Sequence, residues 1–230
     1  MIYLIGVLLL LGVMFLPQYA TRRILQKHAV PRPDFPGTGG EFARHLLERF
    51  SVDGVGVEQT NQGDHYDPSQ KMVRLSPQYY EGKSLTSVVV AAHEVGHAIQ
   101  HQRGSGGLAT RYRLAVVAGL AARVSQVALI ALPLLAGLNP GLMRLAIVVI
   151  VVGILLSTLV HLVTLPVEWD ASFNKALPIL QEGQYLSPGD MAAARNILTA
   201  CALTYVSASL PVCWARCVGY AGCVKVCRQA

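Results

Sequence analysis

Apolar positions along this chain follow two rhythms. Four stretches, Met1–Thr21, Val124–Met143, Leu145–Val167 and Asn196–Ala215, contain no Asp, Glu, Lys or Arg. Each is about as long as the roughly 20 residues that a spanning helix needs. The third is nearly unbroken hydrocarbon. The second contains Pro133 and meets the third across Leu138-Asn139-Pro140-Gly141, which reads as the turn of a helical hairpin that crosses and returns. The fourth interleaves Thr, Ser and Cys with its apolar residues, so a fourth span and a buried interfacial helix are both open readings.

Between the first two stretches the rhythm is short. Pro31, Pro33, Pro36, Gly37, Gly39 and Gly40 form a linker. Glu41–Phe50 then places Phe42, Leu46, Leu47 and Phe50 on one side, at helical spacing. Val55–Glu58 suggests a strand. Tyr66–Leu75 reads as a β-hairpin turning at Asp67-Pro68-Ser69-Gln70. Ser76-Pro77 or Ser84 is placed to cap the next helix, which should run to about Arg103 and stop at Gly104.

Composition sharpens this picture. Only 14% of the 230 residues are charged and 53% are hydrophobic, against roughly 25% charged in soluble domains. That excludes a disordered chain, which would be polar with a high net charge. Residues 22–113 hold 12 of the 19 Lys/Arg and 9 of the 13 Asp/Glu, so one wet domain sits among dry segments. The fold class expected is a mainly α membrane protein, with three to four transmembrane helices and a small α+β domain bearing a short β-hairpin.

The net charge of +6 follows membrane orientation. Arg22, Arg23 and Lys27 follow the first stretch, which lacks the basic start of a cleaved signal and reads as an anchor. Arg103, Arg111 and Arg113 precede the second stretch, and the hairpin turn offers only Arg144 to the other face. By the positive-inside rule the wet domain faces the cytoplasm. No run of basic residues interleaved with aromatics suggests nucleic acid as a partner.

The chemistry lies in the helix after the hairpin. Residues 93–97 read His-Glu-Val-Gly-His, a pattern that chance produces only about 0.006 times in such a chain. His93 and His97, four apart on one helical face, can reach a single metal. Glu94 is turned about 100° from His93, where a general base belongs. The extended pattern with a third histidine needs Gly at 100 and His at 103. The chain has Gln100 and Arg103, so that class is excluded.

A catalytic zinc needs a third protein ligand. His101 lies about 12 Å along the helix from His93. Outside the wet domain the acidic candidates are Glu168, Asp170, Glu182 and Asp190. Two crossings return the chain to its starting side, and Glu168 stands directly after the third stretch. A carboxylate at a membrane boundary is costly without a partner, and a metal held by two histidines is such a partner. Glu168 is therefore the expected third ligand, with Asp170 or Ser172 supporting by hydrogen bonds.

Asp64–Pro68 (DHYDP), Val73–Ser76 (VRLS), Val90–His101 (VAAHEVGHAIQH) and Leu165–Ser172 (LPVEWDAS) together resemble the YugP-like neutral zinc metallopeptidase family of bacterial membranes. The resemblance runs to about Tyr205. It implies a membrane zinc protease also similar to the HtpX type of gluzincin, with one Zn²⁺ per chain held by His93, His97 and Glu168, and with Glu94 as base. By looser analogy, whichever strand of the 64–75 hairpin is the edge would hold an extended peptide.

The family pattern ends in a long apolar helix. Here the chain turns to Cys213, Cys217, Cys223 and Cys227, spaced unlike a zinc ribbon, while Cys201 reads as apolar filler.

The expected organisation is an anchor (1–21), a cytoplasmic peptidase domain (22–115), a membrane hairpin (116–166), a segment with the third ligand (167–195), and a fourth helix with the Cys-rich tail (196–230). The expected function is a zinc endopeptidase in the bacterial inner membrane, acting on proteins or peptides at the membrane surface. A non-catalytic zinc-binding scaffold or sensor is the alternative, and Glu94 argues against it because closed structural sites need no base. An intramembrane protease of the site-2 type would need an Asp-Gly motif in a later span. Gly63-Asp64 and Gly189-Asp190 lie outside the dry stretches. His65, Tyr66 and His101 are the candidates for stabilising an oxyanion.

Overall fold

The computed structural model describes residues 16, 19–104 and 106–209. Most of the expected first span, and the four cysteines of the tail, lie outside the described residues.

A helix over residues 19–27 (α1) leads through the Pro/Gly linker to α2, Gly39–Arg49. Thr38 and Glu41 form a reciprocal capping box: the Thr38 hydroxyl accepts from the Glu41 amide at 3.3 Å, and the Glu41 carboxylate accepts from the Thr38 amide at 2.7 Å. Such a cap stabilises the helix by about 1 kcal/mol. Gly39 is required by close approach, because a Cβ there would lie 2.3 Å from the Tyr79 carbonyl oxygen.

The strands β1 (Gly56–Gln59), β2 (His65–Asp67) and β3 (Met72–Leu75) pair in the order β1-β3-β2. The expected hairpin is present, with β2 antiparallel to β3 and Tyr66 opposite Val73. The expected strand at Val55–Glu58 pairs parallel on the other side of β3. Of the two hairpin strands, β2 is therefore the edge. Tyr66, Val73 and Leu75 are buried. On the other face Arg74 reaches Asp67 at 2.7 Å and Glu58 at 2.5 Å.

Ser76 and Ser84 both stand just before helices, and only the Ser84 side chain caps one. Ser76 precedes the short α3, Pro77–Tyr80, and Ser84 caps α4, Leu85–Gln102, its hydroxyl accepting from the Ser87 amide at 3.1 Å. Gly104, at φ +66°, stands just past the end of α4, a left-handed stop that favours glycine. α4 is buried on nearly all sides, as expected of a helix apolar all round. Val89, Val95, Leu46 and Leu75 are all fully enclosed, each contributing roughly 1.5–3 kcal/mol.

The dry hairpin is α5, Gly106–Leu138, and α6, Pro140–Trp169, joined at Asn139, whose side chain caps α6. The sequence places the end of the third span at Val167. The helix instead continues through a π-helical segment, Asp170–Ala176, and α7, Leu177–Glu182. No chain breaker follows Pro166 until α7. Ala171, Ala176, Leu177 and Leu180 also gain burial by staying helical.

Of three to four expected spans, two helices among the described residues are long and apolar enough to cross a membrane: Arg113–Leu135 and the run Pro140–Glu182. The last helix among the described residues, α8 (Pro188–Ser209), buries Ala194, Ile197 and Leu198 in the same core as α2 and α4. The described start of the fourth dry stretch is thus a wall of the wet domain. Thr21 ties α1 to it by donating to the Ala200 carbonyl at 3.0 Å.

Candidate metal centre

Two elements bring the centre together. α4 carries His93, Glu94 and His97, and the end of α6 carries Glu168. They meet because both sides are stripped of bulk. A Cβ on Gly96 would lie 2.9 Å from the Ala171 carbonyl oxygen, and Ala171 and Ser172 are wholly buried against α4. The π segment stands at this contact. Such wider turns inside α-helices are frequent at functional sites.

Glu168 Oε2 lies 3.4 Å from His93 Nε2 and 3.5 Å from His97 Nε2. The two imidazole rings are 4.8 Å apart and nearly perpendicular, at 78°. One ligand atom from each of the three residues falls within 4.8 Å of the others. Zinc takes nitrogen and carboxylate oxygen at about 2.0–2.2 Å in tetrahedral sites, so two of its ligands stand about 3.3–3.6 Å apart. Both measured histidine–carboxylate separations match that edge, and two imidazoles with one carboxylate form a catalytic donor set. The residues fit a zinc ion.

Burial sets the access. Glu168 and His97 expose 1% and 4% of their side chains, whereas His93 exposes 11%, so His93 lies on the side closest to solvent. Glu94, next to it on α4, is also buried.

The second layer of contacts answers the sequence expectation in two ways. Ser172 Oγ lies 3.1 Å from His93 Nδ1, the direct support anticipated for that residue. Asp170 acts at one remove, accepting from Gln100 Nε2 at 2.7 Å. Gln100 itself escaped the sequence reading. It is buried, its side-chain oxygen lies 2.9 Å from His97 Nδ1, and its nitrogen also donates to the Val167 carbonyl at 3.0 Å. Its signal was a polar residue three positions after His97 in a helix otherwise apolar enough to be buried.

The three candidates for oxyanion stabilisation divide. Tyr66 Oη lies 2.8 Å from His101 Nδ1, joining the edge strand to α4. Burial pushes the Tyr66 phenol up to about 12, so it keeps its proton at neutral pH. His65 is buried with Nδ1 2.8 Å from the Gly63 carbonyl oxygen, on the strand face opposite Tyr66. Beside it Asp64 accepts from the Ser76 amide at 2.6 Å and hydroxyl at 2.9 Å. Burial raises the Asp64 carboxyl above the usual range even so.

Comparison with known proteins bears directly on this centre. The profile of the family described as "Putative neutral zinc metallopeptidase" matches residues 2–214. The chain is also 34% identical over 215 residues to the Bacillus subtilis (strain 168) protein named "Putative membrane protease YugP", with 91% of each chain covered. No solved structure matches the chain. With two histidines and a glutamate gathered as a zinc site requires, and with a profile spanning nearly its whole length, the chain belongs to the neutral zinc metallopeptidase family.

Proposed function

We propose that this protein is a membrane-bound zinc endopeptidase, in which His93, His97 and Glu168 hold one Zn²⁺ per chain and Glu94 is the general base. The observation that carries this reading is the convergence of three ligand atoms from two helices within 4.8 Å. When bound, zinc supplies Lewis acidity, which makes water acidic enough to attack at neutral pH and polarises a carbonyl.

The chain's own residues do the rest. Glu94 accepts the proton of the attacking water and returns a proton to the leaving amine, a role that contributes typically 10²–10⁴-fold. Glu94 is buried next to His93 on α4, which places it at the centre. β2 has no strand partner on its outer side among the described residues, so an extended peptide can add to that edge by backbone hydrogen bonds. The Tyr66–His101 contact keeps that edge in register with α4.

The outward-facing leucines and valines of α5 and α6 support a two-span membrane hairpin. Arg22, Arg23, Lys27, Arg103, Arg111 and Arg113 on the wet side support a site at the cytoplasmic surface of a bacterial inner membrane. Proteins or peptides at that surface are the substrate class.

The test is zinc content and peptidase activity of detergent-purified protein. The expectation is about one zinc in the wild type, little in Glu168→Ala, and full zinc with activity reduced at least about 10²-fold in Glu94→Gln. Full zinc in Glu168→Ala would remove that residue from the ligand set. Absence of zinc from every form would leave a membrane scaffold rather than an enzyme.

A further inference from the structure

We infer that Gln100 is a positioning residue of the metal centre: its amide locks His97 in the metal-binding tautomer and clamps that ring to the helix bearing Glu168. This rests on the zinc reading above. A glutamine side chain offers one acceptor oxygen and two N–H donors. The Gln100 nitrogen stands 3.0 Å from the Val167 carbonyl oxygen and 2.7 Å from Asp170 Oδ2. A carbonyl and an ionised carboxylate only accept, so both N–H groups are committed. The flipped amide would place oxygen against oxygen twice, in a buried spot with little water to compensate.

The Gln100 oxygen must therefore face His97 Nδ1, 2.9 Å away, and that nitrogen must carry the proton. The lone pair of the ring is then on Nε2, the atom 3.5 Å from Glu168 Oε2. In the other neutral tautomer Nε2 would carry hydrogen and could not ligate. His93 is held differently. Its Nδ1 meets the Ser172 hydroxyl at 3.1 Å, a group that donates as readily as it accepts and so dictates no tautomer.

The same amide reaches across to the second ligand-bearing helix. Val167 immediately precedes Glu168, so the bond to its carbonyl holds the peptide from which the third ligand projects. Asp170, the other acceptor, is anchored by Asn174 Nδ2 at 2.9 Å and Lys175 Nζ at 3.4 Å. A single buried side chain thus sets the orientation of His97 and its spacing from Glu168. Partners of this kind typically govern 10–100-fold of metal affinity.

The test compares zinc affinity of the detergent-solubilised full chain, by chelator competition, for wild type, Gln100→Leu, Gln100→Glu, Asp170→Asn and the Gln100→Glu/Asp170→Asn pair. Gln100→Glu keeps an acceptor for His97 but sets a carboxylate against Asp170, and affinity should fall about 10–100-fold. Adding Asp170→Asn supplies an N–H toward that carboxylate and should recover part of that loss, the Val167 carbonyl still lacking its donor; general damage to the fold would give no recovery. Nitrogen-15 spectra of His97 in zinc-free protein should show the Nδ1–H form in wild type and a mixture in Gln100→Leu.

Wild-type affinity in both single Gln100 variants, or a double variant no better than Gln100→Glu, would overturn the proposal. So would an Nε2–H form of His97 in the wild type. If the wild type bound no zinc at all, the zinc reading would fail, and the spectra would still decide what Gln100 does.

Discussion

α4 and the α5–α6 hairpin are both dominated by apolar residues, yet they turn that character in opposite directions. In α4, Val89 and Val95 are sealed from solvent on every side; on α5, Val127 and Ile130 expose 68% and 74% of their surface. The hairpin closes on itself through small residues instead. Ser125 is buried and donates to the Val149 carbonyl at 3.2 Å, and a Cβ on Gly153 would lie 1.9 Å from the Ser125 hydroxyl. Small residues at helix contacts are how membrane helices pack, since lipid gives them no hydrophobic drive to associate.

The polar residues separate the two regions further. Most of those of α4 are inside: Thr86, Ser87, Glu94, His97 and Gln100 are all buried. In a helix that could have been filled with hydrocarbon, each buried polar side chain has a structural or chemical task. Between Arg113 and Leu135, α5 instead keeps Val116, Leu120, Val127 and Ile130 outward.

The contrast can be broken most severely from the core side. Leu46→Ala, emptying a fully enclosed site, should cost about 2–5 kcal/mol in thermal or denaturant unfolding. Leu120→Ala, on a position 65% exposed, should cost under about 0.5 kcal/mol. Equal losses would mean that the hairpin's outer face packs as a core does. Val127→Asp should penalise membrane insertion by about 2.5–3.5 kcal/mol, read as a drop in the membrane-integrated fraction. Unfolding of the wet domain in detergent should hardly change.

Gly96→Ala attacks the contact where the two regions meet. Overpacking against Ala171 should destabilise by about 1–3 kcal/mol and lower zinc occupancy as Glu168 is pushed away. Unchanged occupancy would show that the π segment can yield. The smallest effect is expected at Asp64. Burial raises its folded pKa, so ionisation costs stability as pH rises through that value, and below the ordinary aspartate range of about 3.9 the cost vanishes. Asp64→Asn keeps an oxygen for the Ser76 contacts. Its melting temperature should exceed wild type at pH 8 and match it at pH 3; a gap of the opposite sign at pH 8 would mean that the charged form is favoured.

Much of this was legible in the chain because the signals were local. The cap at Ser84, the stop at Gly104 and the turn after Asp67 each depend on a few neighbouring residues. Glu168 could be read from topology, since an out-and-back helical hairpin returns the chain to the end it left. Features that depend on distant packing were not legible. The sequence around Val167 holds no sign that the helix continues, because the reason is burial of Ala176 and Leu180 beneath α4 and α8. The inward face of α8 is hidden for the same reason, since Ile197 and Leu198 read alike in a bilayer and in a core. Gln100 was missed because its partners stand 67 and 70 positions away.

The unbroken run from Pro140 to Glu182 has a mechanical consequence. α6 is a rod about 45 Å long at 1.5 Å per residue, and Gln100 pins it one residue before Glu168. A rocking of about 5° about that pin would swing the Asn139 end by about 4 Å and shift Glu168 by only tenths of an ångström. Glu168 sits near the fulcrum of such a lever, so a displacement of the far tip would leave the spacing of Glu168 from His93 and His97 almost unchanged.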